Sequence, residues 1–510
     1  MGLIRRRANR WLAFLLTAAS TSWVSVAAAQ PEPEQPDYRG GAYFHPDLEH
    51  AIADWSAASG AAGYTALRAI WQTWDRAEPA QVEEALREAA LTPRLSPPLR
   101  TYAELLSAYA RLRRGDATEA QRRIAALGYV DQWLVLGPFD NTGKTGLAAT
   151  QGPEPELAEP IEWGRGYPGK DGRQVRWRVV PPDFPYGWVD AGALLRPKQQ
   201  MCAFFASYVT QPKLAARRPI TLWVGVRGAY RLFWNGVERL SDDAYRGHDF
   251  DRRAVPVWLE PGENRVTVKV CGDDAAPMVS LRLADPRGAP DAALRWHADV
   301  NALTGPAPPA QGTPPPAQSS GPLDWFEREA RAKSASPALR EAFARYLQVS
   351  DGDDPATHQA RDLAYAAAAT PSVPRLLLAA DLADDRNERA RWLERARAAL
   401  VHSPPAARRR ELGDLLIAEA HQAEQGSSPQ LALPLYDQAL ALDADDVDAI
   451  AGKARLYEAA GLKRSARAII DRGLERNPHA VSLLNLSTSG LSDLGQTEAA
   501  RSVESLYSAL

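Results

Sequence analysis

The stretch that decides the fold runs from residue 415 to residue 470 and reads LLIAEAHQAEQGSSPQLALPLYDQALALDADDVDAIAGKARLYEAAGLKRSARAII. Small residues recur at a fixed interval in this stretch and beyond it, at Ala432, Ala466 and Ala500, which are 34 residues apart. Large apolar residues keep the same interval at Leu416, Ile450 and Leu484. Two antiparallel helices need small residues where they cross closely, so this pattern predicts stacked helical hairpins.

A 34-residue period with small residues at fixed offsets and a proline, Pro478, at the end of a repeat resembles the tetratricopeptide repeat. The resemblance divides the C-terminal part into repeats 413–446, 447–480 and 481–510. The third repeat departs from the pattern at Thr488, Glu504 and Tyr507. An ordinary helical bundle with a chance period is the alternative, and the several matched offsets favour the repeat.

The repeat resemblance also implies a binding face. If Leu416, Ala420 and Ala423 pack inward, a second face of the first helix in each repeat is polar. In the repeat family this face lines a concave groove for peptide segments. The candidates for peptide contact are Asp414, His421, Glu424, Asp448, Arg455, Glu458 and Asn485. A groove that is merely solvated is the alternative.

Two further regions, 47–129 and 323–412, have helical periodicity without a clean repeat. Residues 102–127 within the first region suggest one repeat-like hairpin. Helices of a solenoid bury their faces only by stacking on neighbours. We therefore expect both regions to extend the helical array.

The middle region, 130–290, alternates between apolar and polar residues instead. Leu222, Val224 and Val226 share one face of a predicted strand, and Asn235-Gly236 is a strong signal for a two-residue hairpin turn. Strands bounded by glycine and proline turns, without helical periodicity, predict an antiparallel β-sandwich.

The segments GAYRLFWNG and LEPGENRVTVKV in this region resemble a galactose-binding-like jelly roll. Such modules serve as sugar-binding domains in several glycoside hydrolases, so the resemblance implies glycan binding. Trp163 and Trp188 lie in loops rich in glycine and proline and are the candidates for stacking on a sugar ring. Core packing is the alternative for the tryptophans of this region.

The chain combines this module and the repeats with the segment WLVLGPFDN at residues 133–141. This combination resembles that of a group of exported bacterial proteins. In that group a transglutaminase-like domain often follows the repeats. The sequence ends inside the third repeat, so we expect the chain to be the non-catalytic front part of such a protein or a separate binding protein.

The N-terminus predicts export. Arginines at positions 5–10 precede an apolar run, and Ala27–Ala29 before Gln30 fits a cleavage site, which makes residues 1–29 a signal peptide. Cleavage reduces the 60 basic residues to 56 against 63 acidic ones, a net charge of −7. We expect a periplasmic or secreted protein without a membrane span, and the acidic balance argues against a nucleic-acid partner.

Few residues of the sequence are candidates for catalysis or for cofactor binding. Cys202 and Cys271 fall in predicted strands, where a disulfide and two buried thiols are both open and a catalytic cysteine is disfavoured. The segment 137–145 ends in Gly-Lys-Thr but has five residues between its glycines and a proline, so it does not match a phosphate-binding loop. We expect no catalytic residue, no metal, no cofactor and no enzymatic activity.

The sequence thus predicts a multidomain α plus β protein in which helical repeat-like segments flank an antiparallel β-sandwich. A flexible proline-rich segment, 30–46, follows the signal peptide, and a proline-rich linker, 304–322, separates the sandwich from the later helices. We expect a protein or peptide partner on the repeats, with a glycan on the sandwich as the alternative.

Overall fold

The computed structural model of the protein describes residues 46–509, apart from residues 59, 94, 183, 300–312, 331–334, 427, 428 and 494. The predicted signal peptide, the proline-rich segment up to residue 45 and the first part of the predicted linker lie outside the described residues. The chain divides into two compact units. The helical unit takes residues up to 96 with Tyr109–Asp116 and Leu363–Leu510, and the sheet unit takes Pro97–Ala108 with Ala117–Asp362.

The sheet unit is built on antiparallel strands, as the sequence predicts. The strands are β1 (Leu134–Asp140), β2 (Tyr167–Pro168), β3 (Gln174–Val175), β4 (Arg178–Val179), β5 (Val189–Asp190), β6 (Met201–Thr210), β7 (Arg218–Trp234), β8 (Val237–Arg246), β9 (Arg253–Leu259), β10 (Asn264–Gly272), β11 (Met278–Ala284) and β12 (Arg295–His297).

The long strand β7 gives the sheet its curl. Its first half pairs with β9 and β11, and its second half pairs with β8 and β10. The sheet continues through β6 to β1 and β4 on one side and through β11 to β5 on the other. Gly228 lies where the two halves meet, at a φ of 103°, and a Cβ there would be 2.2 Å from the carbonyl oxygen of Cys271. Only glycine fits this close approach of two strands.

The core of the sheet unit lies inside this curl. Both halves of β7 contribute to it, since Leu222 and Leu232 belong to the same buried cluster. Trp133 and Phe205 meet edge to face in that cluster, with ring centroids 6.2 Å apart. A second buried cluster contains Leu136, Phe139 and Phe204. The predicted antiparallel β-sandwich is therefore confirmed as a curled antiparallel sheet with buried clusters.

Helices also belong to the sheet unit. They are α5 (Ala117–Ala125), α6 (Ala191–Leu194), α7 (Pro322–Ala330) and α8 (Pro337–Val349), with the first residues of α4 (Pro97–Arg113) and of α9 (Gln359–Ala367). The sequence predicts that residues 323–412, which include α7 and α8, extend the helical array. The structure instead packs α7 against β9, because Arg253 of that strand bonds to Asp324 and Glu327 of the helix.

The helical unit consists of hairpins from two distant parts of the chain. Before α4 it contains α1 (Pro46–Ala57), α2 (Ala62–Gln72) and α3 (Pro79–Ala90). After α9 it contains α10 (Val373–Asp381), α11 (Arg386–Ala399), α12 (Pro405–Glu424), α13 (Leu433–Leu442), α14 (Val447–Ala459), α15 (Lys463–Arg476), α16 (Val481–Asp493) and α17 (Thr497–Ala509). Among the described residues, these helices and those of the sheet unit lack the combined length and hydropathy that crossing a membrane requires.

The last six helices form three hairpins, α12 with α13, α14 with α15 and α16 with α17. The second and third hairpins begin at Val447 and Val481, whereas the first begins at Pro405, ahead of residue 413 where the 34-residue period starts the first repeat. The small residues expected at the crossings are buried, since Ala420, Ala432 and Ala454 are fully covered and Ala466 is 1% exposed. The third hairpin forms in spite of its departures from the pattern, and Ala500 is buried in it.

Candidate binding surface on the helical repeats

The polar candidates of the repeats lie on the first helix of each hairpin, as the period requires. Asp414, His421 and Glu424 are on α12, and Asp448, Arg455 and Glu458 are on α14. Asn485 is on α16 and is exposed. None of these side chains belongs to the buried apolar clusters of the hairpins.

Tyr436 organises the middle of this surface. Its ring is buried between α12 and α14, and its hydroxyl donates a hydrogen bond of 2.8 Å to Oε1 of Glu424. Nη2 of Arg455 lies 3.9 Å from the other carboxylate oxygen of Glu424, and the ring of His421 meets the tyrosine ring at 6.2 Å. Burial, together with the neighbouring Glu424, raises the pKa of Tyr436, so its hydroxyl remains a donor.

Gly452 makes room for that tyrosine. A Cβ at position 452 would lie 2.2 Å from Cζ and 2.5 Å from the hydroxyl oxygen of Tyr436. The helix α14 therefore comes close enough to α13 for the tyrosine hydroxyl to reach Glu424 on α12. The 34-residue period matches Tyr436 with Ile470 only as large residues, and the glycine in the middle of a predicted helix was the signal that could have indicated this close packing.

Asp414 and Asp448 have a different environment. Nη1 of Arg76 donates to Oδ2 of Asp448 at 2.7 Å, and the same guanidinium lies 3.3 Å from Asp47. Asp414 interacts electrostatically with Asp47 and His50 of α1. These two carboxylates therefore face residues of the N-terminal region, which the sequence predicts to extend the helical array but does not pair with particular residues of the repeats.

The surface that remains for a partner is the polar groove, defined here as His421, Glu424, Arg455, Glu458 and Asn485. The structure brings its first three members together through Tyr436. Glu458 extends toward the next hairpin, where its Oε1 would be 3.6 Å from a Cβ at Gly490. Arg455 keeps 47% of its side chain exposed, so its guanidinium has donors that face solvent.

The two tryptophan candidates on the sheet unit differ in exposure. Trp163 is 38% exposed in the loop before β2. Trp188 is half-buried and packs edge to face on Phe184, with ring centroids 6.3 Å apart. Several other tryptophans of this region fill the core, namely Trp133, Trp177, Trp223 and Trp234.

Cys202 and Cys271 form a disulfide between neighbouring strands. They are direct partners in the register of β6 and β10, and both side chains are fully buried. A bonded sulfur is not a thiolate, so neither cysteine is available as a nucleophile.

The glycine-rich segment 137–145 is a structural loop of the sheet unit. It ends in a single 3-10 turn, Thr142–Lys144, and Nδ2 of Asn141 anchors it by donating to the carbonyl of Gly272. Nζ of Lys144 lies 4.5 Å from the centre of the Tyr245 ring and 3.5 Å from Asp273. No helix follows the loop to bind a phosphate. Within the described ranges, no group of three histidine, cysteine or acidic side chains could hold a metal ion.

Comparison with known proteins agrees with the geometry of the hairpins. Residues 425–486 match the tetratricopeptide repeat family. This segment therefore carries tetratricopeptide repeats. The matched residues include Arg455, Glu458 and Asn485 of the polar groove, whereas His421 and Glu424 lie just before the match.

The search of curated proteins found no match to the chain. Among solved structures, YrrB, described as a tetratricopeptide-repeat protein with an unusual peptide-binding site, is 16% identical, with 35% of this chain and 88% of YrrB covered and a TM-score of 0.25. A protein containing a tetratricopeptide-repeat domain from Parabacteroides distasonis is 11% identical, with 57% of this chain and 68% of that protein covered and a TM-score of 0.21.

Proposed function

We propose that the protein is a binding scaffold that holds a peptide segment of a protein partner in the polar groove of its tetratricopeptide repeats. The observation that carries the proposal is the hydrogen bond from Tyr436 to Glu424. It fixes a carboxylate on the polar face of α12, beside the exposed guanidinium of Arg455. A prearranged pair of opposite charges binds a ligand with less loss of conformational entropy than freely rotating side chains.

The chemistry of the groove selects its ligand. The guanidinium of Arg455 offers donors to a carboxylate or a backbone carbonyl, and a planar fork is well suited to both. Glu424 and Glu458 offer acceptors to backbone N–H groups or to a basic side chain. An extended peptide with polar side chains presents all of these groups, so we take it as the ligand class.

The remaining elements of the proposal are export and the lack of catalysis. The disulfide between Cys202 and Cys271 supports a periplasmic or secreted location, because disulfides persist in oxidising compartments. It also removes both cysteines from nucleophilic chemistry, which supports a non-catalytic protein.

The test is selection from a library of immobilised synthetic peptides with the full-length protein. We expect wild type to retain a set of peptides and Arg455→Glu to bind them about tenfold or more weakly, as loss of a central arginine does. Arg464→Glu on α15 is the matched control, because Arg464 is an exposed arginine outside the groove. Equal binding by wild type and Arg455→Glu would reject the groove as the binding site.

A second candidate function is glycan binding by the sheet unit. The observation that favours it is the exposure of Trp163, since sugar-binding modules stack exposed aromatic rings on sugars. Full-length protein should bind a polysaccharide on a glycan array and lose binding in Trp163→Ala. Trp188→Ala is the comparison, because Trp188 already packs on Phe184. The absence of any retained glycan would eliminate this candidate.

A further inference from the structure

The segment between α2 and α3 lies on the tetratricopeptide repeats through charged side chains. Nη1 of Arg76 is 2.7 Å from Oδ2 of Asp448 on α14. Nδ1 of His479, just before α16, is 2.5 Å from Oε2 of Glu78. The 3-10 turn Thr73–Asp75, directly before Arg76, lies against α16. We name these two pairs, Arg76–Asp448 and Glu78–His479, the latch.

The latch covers part of the face that the repeat period predicted to be a peptide groove. Asp448 is the position on α14 that corresponds to Asp414 on α12, and Asp414 in turn faces Asp47 and His50 of α1. Asp448 in the first turn of α14 and Asp414 in the middle of α12 thus both face residues of the N-terminal part of the chain. The polar groove defined above lies further along the same helices and carries no contact with Arg76.

The environment of Arg76 is strongly acidic. Asp448 and Asp47 are within ion-pair distance of its guanidinium, and Asp446 adds to the negative field. Burial lowers the pKa of Arg76, but these carboxylates outweigh burial and raise the pKa above its ordinary value. The site therefore binds a guanidinium, and the chain supplies that guanidinium itself.

The Arg76–Asp448 pair remains reachable by solvent. Arg76 is 31% and Asp448 41% exposed at the side chain, whereas Glu78 and His479 are largely buried. Partly exposed ion pairs contribute little to stability and are screened by salt. A contact of this kind holds a segment in place but is open to competition by another cation.

We propose that Thr73–Pro79 is an internal occupant of the repeat face, held by the latch, and that a protein partner with a basic side chain displaces it by replacing Arg76. The inference rests on the proposed peptide-binding function and specifies the partner as a segment that carries an arginine. It also extends the binding surface from the polar groove to Asp414 and Asp448.

The latch itself is tested by hydrogen exchange on the full-length protein, without any partner. In Arg76→Glu, amide exchange in Thr73–Pro79 and α3 should become about tenfold faster, because the new carboxylate is repelled by the acidic residues that surround position 76. Exchange in the hairpin of α10 and α11, in the same unit, should stay unchanged. The charge-swapped double variant Arg76→Glu with Asp448→Arg should restore protection to within a few-fold of wild type.

Faster exchange throughout the unit, or unchanged exchange in Thr73–Pro79, would overturn the latch. If Arg76→Glu does not fold, Glu78→Gln keeps the shape of the side chain and removes only the charge that faces His479. It should speed exchange in the same segment, and unchanged exchange there would equally overturn the proposal.

Displacement is tested with a labelled synthetic peptide of the sequence of residues 71–80, WQTWDRAEPA. It should bind Arg76→Glu full-length protein about tenfold more tightly than wild type, in which the internal segment competes. A peptide with glutamate in place of its arginine should not bind. Equal binding of the labelled peptide to wild type and variant, or none to either, would overturn the internal-occupant proposal. If no peptide of the library binds but the exchange experiments support the latch, the proposed peptide-binding function is rejected and the latch is not.

Discussion

Gly452 and Tyr436 fit together so closely that a Cβ at position 452 would lie 2.2 Å from Cζ of the tyrosine. The contact joins the second helix of one tetratricopeptide repeat to the first helix of the next, α13 to α14. The same tyrosine donates its hydroxyl to Glu424 on the polar face. Packing between repeats and the arrangement of the polar groove therefore depend on one pair of residues.

The first prediction concerns this pair. Gly452→Ala should destabilise the protein by about 1–3 kcal/mol, because the added methyl group overpacks the tyrosine ring. The matched control is Gly413→Ala on α12, where a Cβ would meet nothing within 4 Å. That substitution should stabilise by about 0.5–1 kcal/mol through helix propensity. Denaturant unfolding of both variants gives the comparison, and a stabilising effect at both positions would contradict the packing.

The second prediction concerns the disulfide. Replacing both Cys202 and Cys271 by alanine should lower the free energy of unfolding by about 2–4 kcal/mol, because the bond closes a loop in the unfolded chain. A thiol reagent should label no cysteine in denaturant before reduction and both cysteines after it. Wild type under reducing conditions should lose as much stability as the variant. Labelling of untreated protein would show that the thiols are free.

The third prediction concerns Arg253, which joins the sheet to α7. Its guanidinium bonds to Asp242 at 3.1 Å and to Asp324 and Glu327 at 2.8 Å each. Arg253→Met should cost about 2–5 kcal/mol, since it removes the guanidinium shared by the buried carboxylate of Asp242 and the partly buried carboxylates of the helix. Arg287→Met is the control at an exposed position and should change stability by less than about 0.5 kcal/mol. Equal effects in thermal or denaturant unfolding would contradict the network.

The fourth prediction concerns pH and Asp446, which caps α14 by accepting from the backbone N–H of Ala449. Burial, followed by the nearby Asp448, Asp47 and Asp443, raises the pKa of Asp446 to about 7. Because this pKa lies above that of the unfolded chain, the stabilising contribution is complete at acidic pH and is lost as the pH rises through about 7.

Asp446→Asn removes that titration and keeps an acceptor for the cap. Its stability relative to wild type should therefore increase between about pH 4 and pH 7, which is roughly the interval between the pKa of this carboxyl in the unfolded chain and in the fold. Denaturant unfolding at several pH values measures the difference. A difference that does not change with pH would show that Asp446 has an ordinary pKa.

The repeats could be predicted from the sequence because their determinants are local. Ala432 and Ala466 are buried at the same position of successive hairpins, and a fixed spacing is enough to reveal that. The alternation of Leu222, Val224 and Val226 likewise indicates a strand. The structure buries the other face of that strand as well, since Thr221 and Trp223 are covered. Both signals arise from the periodicity of a single element.

Contacts between segments that are distant in the sequence produce no such periodicity. Arg76 and Asp448 are 372 residues apart, and nothing in the spacing of charges links them. The disulfide also required the register between β6 and β10, which places Cys202 opposite Cys271 and which composition does not determine. Residues 323–349 have helical periodicity whether they stack on repeats or pack on a sheet, so their partner could not be read from the pattern.

The most direct test of the binding proposal is hydrogen exchange of the full-length protein with and without the tightest peptide from the library. The account predicts slower exchange in α12 and α14 on binding, around Glu424 and Arg455, and no slowing there in Arg455→Glu at the same peptide concentration. Slowing confined to the strands of the sheet unit, or the same slowing in Arg455→Glu, would contradict it.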